Sequence, residues 1–318
     1  MATKYQFEPD FVSPPGESLE DILEEQGMTQ AELSERTGLA RKTVNEIIKG
    51  KAPITPDTAL QLERVFDVPA SFWNSRESEY REALARQQES ERLQEDVQWL
   101  RGFPVPTMAK LGWIDRVSDK VGQLRELLGF FGVASPERWE AIWLDHEAKV
   151  AFRKSLAFAS APKHMAAWLR RGEVKALEMQ CEPYEEKKFR KALETIRGLT
   201  RETPDVWQRR MVSLCADAGV AVVFTPQPPQ SKVCGATRWL RKDLALIQLS
   251  LRYKSNDHFW FTFFHEAGHI LLHGKKEVFL EKGGDDVVEE KEREANEFPS
   301  RFLIPPAAYA RIASTPRL

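Results

Sequence analysis

His265-Glu266-Ala267-Gly268-His269 sets two imidazoles four residues apart, with a carboxylate directly after the first. On a helix, four residues turn by about 400°, so both rings lie on one face, one turn apart. Both can then reach a single Zn2+. Glu266 stands beside them, where it can take a proton from a water held by the metal; zinc lowers the pKa of such a water toward ~7. The flanks are apolar, with Phe259, Trp260, Phe261, Phe263 and Phe264 before the motif and Ile270, Leu271 and Leu272 after it. A helix of this composition is predicted to be buried, and two buried histidines without a metal would need other partners. A catalytic zinc requires a third protein ligand and one open position. The acidic run downstream offers Glu289, Glu290, Glu292 and Glu294 on a predicted helix. Glu292 and Asn296 form an i, i+4 pair that would set a carboxylate on the metal with an amide beside it. The competing reading of the run is a solvated helix face.

A second group of residues has the chemistry of base reading. Arg41, Lys42, Thr43 and Asn45 open a short predicted helix whose Val44, Ile47 and Ile48 turn inward. Arginine and lysine donate to guanine, asparagine pairs with adenine, and threonine serves either. The preceding helix starts behind Thr29 and Glu32, which have the capping-box spacing, and stops at Gly38. Gln30, at its start, is placed to meet a phosphate or a base. Two helices joined by a tight glycine turn make the helix-turn-helix layout, in which the second helix enters the major groove. Residues 1–90 carry a net charge of −7, but residues 36–51 carry +4. The reading face is therefore basic on an acidic domain, and phosphate affinity should be modest and strongly salt-dependent. The competing reading is an all-helical interaction module, such as a toxin-binding surface.

The elements that must hold these groups follow from pattern. Residues 1–16 read as an extended tail, with a first helix from near Ser18 to Gly27 on Leu19, Ile22 and Leu23. A further helix begins at Pro56 or Asp57, with Leu60, Leu62, Val65 and Phe66 as core candidates. The charged stretch after Pro69 reads as a solvated linking helix, and Gly102, Pro104 and Pro106 mark a boundary. Residues 107–210 look helical; Trp113, Trp139, Trp143, Trp168 and Trp207 read as core anchors. Strands are expected at 220–225, 233–240 and 244–251, then the motif helix from Asn256 or Asp257 to Gly274. A polar loop is expected next, followed by two helical segments over 287–312 separated by Pro305 and Pro306.

The whole is 318 residues, 42% hydrophobic and 30% charged, with a net charge of −2. This fits a multidomain globular protein and excludes a uniformly basic nucleic-acid binder. No apolar run approaches the ~20 residues of a membrane span, and the N-terminus lacks a signal-peptide layout, so no membrane partner and a cytoplasmic location are expected. Cys181, Cys215 and Cys234 fit neither a disulfide framework nor a paired zinc site and read as reduced thiols.

Two resemblances sharpen these readings. PGESLEDILEEQGMTQAELSERTGLARKTVNEIIKGKAPITPDTALQLERVFDVPASFWN, within residues 15–85, resembles the HigA branch of the Cro/C1-type (XRE) helix-turn-helix family. That resemblance implies a homodimer on a palindromic operator, and many members are antitoxins. FTFFHEAGHILLH followed by EREANEFPSRFLIP, within residues 215–309, resembles the ImmA/IrrE metallopeptidases. That resemblance implies Glu292 as the third zinc ligand and cleavage of helix-turn-helix repressors, sometimes after an activating signal. Pro299 departs from the family's usual alanine, and a proline there predicts an early break in the helix. His273 matches a frequent family histidine and reads as supporting or structural. The strand at Val233–Trp239 is expected to take a substrate peptide edge-on.

The expected fold is mainly α and multidomain: a tail over 1–15, a five-helix DNA-binding domain over 16–88, a linker helix and helical middle region over 89–205, and an α+β zincin-like domain with a small sheet over 206–318. Two functions compete. One is a DNA-binding regulator with a zinc endopeptidase that cleaves a repressor, an antitoxin or its own linker around 75–105. The other is an antitoxin-like repressor that binds a toxin through a non-catalytic peptidase fold. The presence of both histidines, Glu292 and Glu266 favours the first.

Overall fold

The computed structural model describes residues 13–143, 162–227, 233–250, 256–273, 278–282 and 290–304. The chain divides into two compact units, Met1–Glu95 and Asp96–Leu318. The architecture is mainly helical, with one small sheet in the second unit. No helix among the described residues is long and apolar enough to cross a membrane.

The first unit is built on helices α1 (Pro15–Glu25), α2 (Gln30–Thr37), α3 (Arg41–Ile48), α4 (Pro56–Phe66) and α5 (Ala70–Asp96). Helix α1 starts three residues before Ser18, so Pro15 and Gly16 belong to the helix rather than to a tail. Proline is favoured in the first turn because its missing N–H has no helical partner there. Gly16 is required by packing: a Cβ would lie 2.2 Å from the Ile47 carbonyl oxygen, so α1 rests directly on the last turn of α3. The Thr29–Glu32 capping box forms as expected, and Gly38 closes α2 at φ 78°. Leu19, Leu33, Val44, Ile47, Leu62 and Trp73 form the core. Glu77, buried on α5, accepts from the Ile54 N–H at 3.0 Å and from Arg81 at 2.6 Å.

The second unit begins with a 3-10 turn (Val97–Leu100) and helices α6 (Val105–Lys110), α7 (Lys120–Phe131) and α8 (Pro136–Trp143). Helices α9 (Pro162–Glu178), α10 (Glu186–Gly198) and α11 (Pro204–Ala216) follow. All five tryptophans expected as anchors are buried; Trp139, for example, meets Trp99, Phe103 and Phe131 edge-on. Strands β1 (Val220–Phe224), β2 (Val233–Arg241), β3 (Leu244–Leu249) and β4 (Val278–Lys282) form one sheet in the order β1-β3-β2-β4. Strand β1 runs parallel to β3, and the other pairings are antiparallel. Helices α12 (Asn256–Leu272) and α13 (Glu290–Leu303) complete the unit.

Strands β1 and β3 are filled on both faces. Val220, Val222, Ala245, Ile247 and Leu249 join the aromatic core with α10, α11 and α12. Ala221, Val223, Leu244 and Leu246 pack with Ala176 of α9 on the other face. This period of two is the alternation of a pleated strand, filled on both sides.

Three expectations about the second unit are corrected. The segment read as a polar loop contains β4, because its pairing with β2 is a long-range event that its short, charged text does not announce. Strand β2 pairs with β3 on one side and β4 on the other, so it is interior and offers no free edge to a substrate. Helix α13 runs through Pro299 to Leu303. Pro299 is buried there, and Phe298 and Phe302 stack at 5.3 Å with Phe302 against Phe264, so packing outweighs the lost backbone hydrogen bond. The helical segment expected beyond Pro305 and Pro306 lies outside the described residues.

Candidate metal centre and candidate DNA-reading helix

Helix α12 forms because its apolar side chains are at home in the core on almost every face. Trp260, Phe263, Phe264, Ala267 and Ile270 are buried, and Trp260 donates to Asn256 at 2.8 Å in the first turn. The same burial takes His265, Glu266 and His269 out of water, each at 1% exposure or less. Helix α13 packs closely against α12. Gly268, between the two histidines, permits this: a Cβ would lie 3.2 Å from the Phe298 Cβ. That approach brings Glu292, on the first turn of α13, to the histidine pair.

His265 Nε2 and His269 Nε2 are 3.0 Å apart. Glu292 lies 3.3 Å from the first through Oε2 and 3.6 Å from the second through Oε1. One ligand atom from each of these three residues falls within a 4.8 Å group. A tetrahedral zinc with bonds of roughly 2.0–2.1 Å separates its ligand atoms by about 3.3 Å. The three separations straddle that value, and the donor set of two imidazoles and a carboxylate is one that catalytic zinc uses. The residues therefore fit the metal. Burial, reinforced by His265 and His273, holds the His269 pKa well below the usual imidazole range. A neutral ring is the form that coordinates a metal.

Two supports hold this group. His269 Nδ1 is 2.9 Å from His273 Nδ1, and His273 Nε2 is 3.2 Å from Glu294 Oε2. Glu294 thus serves the histidines from behind, while Asn296, expected beside Glu292, is exposed. The second support comes from β2. The Thr237 hydroxyl is 2.5 Å from Glu266 Oε2 and 3.0 Å from the Glu266 carbonyl oxygen. Gly235, two residues earlier on the same face, leaves room for the carboxylate: a Cβ would lie 2.5 Å from Glu266 Oε1.

Strand β2 is itself held from its other face. Arg238 is buried and donates to the Leu169 carbonyl at 3.0 Å and to Glu173 at 3.1 Å. Arg170 joins the same carboxylate at 3.1 Å. Burial raises the Glu173 pKa, but Arg238 and Arg170 outweigh it and the net shift is downward. Gly172 lets α9 approach closely enough for Gln248 of β3 to donate to the Trp168 carbonyl at 2.7 Å.

Thr237 and Gly235 escape sequence reasoning, since neither type is distinctive and they lie about thirty residues before Glu266. His273 had a visible signal: it continues the four-residue spacing of His265 and His269.

In the first unit, Arg41 and Lys42 are exposed, Thr43 and Asn45 are half-buried, and all four lie in the first turns of α3. Val44, Ile47 and Ile48 anchor the opposite face. Lys42 reaches Glu46 at 3.7 Å along the helix surface. Ala40, the N-cap residue, supplies no side-chain cap to the first N–H groups. Gln30 is the first residue of α2 and is half-buried.

Residues 19–73 match the helix-turn-helix family, and residues 215–317 match the IrrE N-terminal-like domain of the M78 peptidases. Over 59 residues the chain is 39% identical to a protein of Pyrococcus furiosus named as an HTH-type transcriptional regulatory protein. The match spans 19% of this chain and 19% of that relative. Among solved structures, the Pseudomonas aeruginosa antitoxin HigA with its higBA promoter is 31% identical, over 27% of this chain and 94% of that one, with a TM-score of 0.25. An addiction module antidote protein of the HigA family from Coxiella burnetii is 26% identical, over 26% and 92%, also at 0.25.

Proposed function

From a chain that carries a helix-turn-helix domain at its N-terminus and an IrrE N-terminal-like domain at its C-terminus, we propose a DNA-binding transcriptional regulator with a zinc-dependent endopeptidase. The observation that carries the enzymatic half is the convergence of His265 Nε2, His269 Nε2 and Glu292 in a buried group, with the Glu266 carboxylate on the next residue of the same helix. Zinc held there would supply Lewis acidity and would acidify a water at neutral pH.

The chain's own residues do the rest. His265 and His269 present neutral ring nitrogens, and Glu292 contributes the only negative charge of the ligand set. Glu266 accepts the proton of the attacking water and returns it to the leaving amine of the peptide. Thr237, hydrogen-bonded to Oε2, holds the Glu266 carboxylate in one orientation. The substrate is a protein of the repressor or antitoxin kind, or the linker around residues 75–105. Residues 16–88 bind a palindromic operator as a homodimer, with Arg41, Lys42, Thr43 and Asn45 at base edges and Gln30 beside them. Residues 206–318 carry the peptidase.

The test joins metal content to cleavage. Purified protein should hold about one zinc per chain, lost in His265→Ala and Glu292→Ala. Glu266→Ala should keep the zinc and lose cleavage of a co-expressed helix-turn-helix repressor. Cleavage by Glu266→Ala equal to wild type sinks the mechanism. Absence of zinc from wild type, even after metal is offered at neutral pH, leaves a toxin-binding antitoxin with an idle peptidase fold as the reading.

A further inference from the structure

The first stretch of the second unit supplies no side chain to the candidate metal centre, yet it lines a cleft of its own. Residues 97–123 surround a space of ≈ 800 Å³. Pockets that hold small molecules span roughly 300–1,000 Å³. The floor is apolar: Leu100, Phe103 and Val105 are buried and face the space. Four cations stand around it, Arg101, Lys110, Arg116 and Lys120, against one carboxylate, Asp115. All four are exposed. Among the described residues, none of the four makes an ion pair.

Hydrogen bonds and ring contacts tie the walls together. Lys163 of α9 donates to the Trp99 carbonyl at 2.7 Å and to the Arg101 carbonyl at 2.9 Å. Its ammonium also sits 4.7 Å from the centre of the Phe103 ring. Phe103 is wedged between Trp99, Phe131 and Trp139. On the far wall Lys120 donates to Gln123 at 3.2 Å, and Gln123 donates to the Val117 carbonyl at 2.9 Å.

Buried apolar side chains and four exposed cations in one lining are complemented by an anion that carries an apolar body. Like charges gathered at a low-dielectric wall repel one another and focus a positive potential, which an anion relieves. The floor then selects anions with an apolar body over inorganic ones, because burying that body removes apolar surface from water. We propose that this cleft binds a small amphipathic organic anion, with an aliphatic or aromatic body and a carboxylate, phosphate or sulfonate head.

The experiment uses the full chain and the fluorescent probe 8-anilinonaphthalene-1-sulfonate. The expected result is saturable binding at one site per chain, displaced by decanoate and much less by decanol or decyltrimethylammonium. Raising salt should weaken it, as screening of the rim charges requires. Arg116→Glu/Lys120→Glu should reduce affinity at least tenfold with unchanged circular dichroism. Ala109→Trp, which fills the cleft without altering charge, should do the same. Wild-type affinity in both variants overturns the proposal. So does displacement by decanol as effective as by decanoate, or displacement only by an acidic peptide or duplex DNA. Probe binding is also expected to be unchanged in Glu292→Ala, so a failure here and a failure of the zinc reading are separate results.

Discussion

Removing the His273 side chain should weaken zinc binding even though His273 is not a ligand. His269 offers Nε2 to the three-residue group and has Nδ1 only 2.9 Å from His273 Nδ1. A metal needs the Nε2 lone pair, so neutral His269 must carry its hydrogen on Nδ1 and donate it to His273. His273 then carries its own hydrogen on Nε2 and donates to Glu294, 3.2 Å away. The chain fixes one tautomer and one ring orientation, and partners of this kind are worth 10–100-fold in metal affinity, or about 1.4–2.7 kcal/mol. The His273 side chain is 3% exposed and that of Glu294 is 51% exposed. Solvent screens the outer link, so the two losses should differ. His273→Ala is expected near the upper end, about 100-fold, and Glu294→Gln at about tenfold or less. The assay is competition for zinc against a chromophoric chelator at neutral pH, with Glu292→Ala as the reference for loss of a ligand. A His273→Ala affinity within about twofold of wild type, beside a large loss in Glu292→Ala, would refute the tautomer argument. A larger loss in Glu294→Gln than in His273→Ala would refute the screening argument.

Arg41→Ala or Asn45→Ala should cost about 1–3 kcal/mol of specific operator binding by fluorescence anisotropy, the scale of one bidentate base contact; undiminished binding in both would remove α3 as the reader. Thr237→Val deletes a hydrogen bond to a charged acceptor, worth about 1.5–3 kcal/mol, and should slow peptide cleavage at least tenfold with zinc retained, while Gly235→Ala should abolish cleavage by pushing Glu266 aside. Glu173→Gln leaves Arg238 buried without its counter-ion and should destabilise the second unit by about 3 kcal/mol in denaturant titrations, the low end for a broken buried pair because Glu173 is partly exposed. The pH dependence has a definite sign: the folded pKa of Glu173 lies below its ordinary value of 4.5, so its contribution is present above that pH and is lost as pH falls below it. Wild type should therefore lose stability in acid faster than Glu173→Gln does.

Much of the candidate site was legible because its chemistry is local. His265, Glu266 and His269 sit on one helix, where a spacing of four dictates a shared face before any tertiary contact exists. The first unit was legible for the same reason: the Thr29–Glu32 cap, Gly38 and the inward stripe of α3 are decided within a few residues of each other. Strand β1 showed itself through the β-branched Val220, Val222 and Val223, and β3 through a short apolar run, since both faces of each are buried, whereas β4 did not show itself. Glu292 was only one carboxylate among four by position. The approach of α13 across Gly268 is what separates Glu292, at the histidines, from Glu294, behind His273. Packing between distant segments likewise decided what local signals misjudged. Pro299 stays in a helix because Phe298 and Phe302 hold it there, and α1 starts at Pro15 because Gly16 fits against Ile47. Strand β2 is interior because Val278–Lys282, far along the chain, pairs with it, and Thr237 meets Glu266 only when that strand and α12 pack face to face. Spacing along one element is a property of the chain, but a meeting between elements is a property of the core they jointly fill.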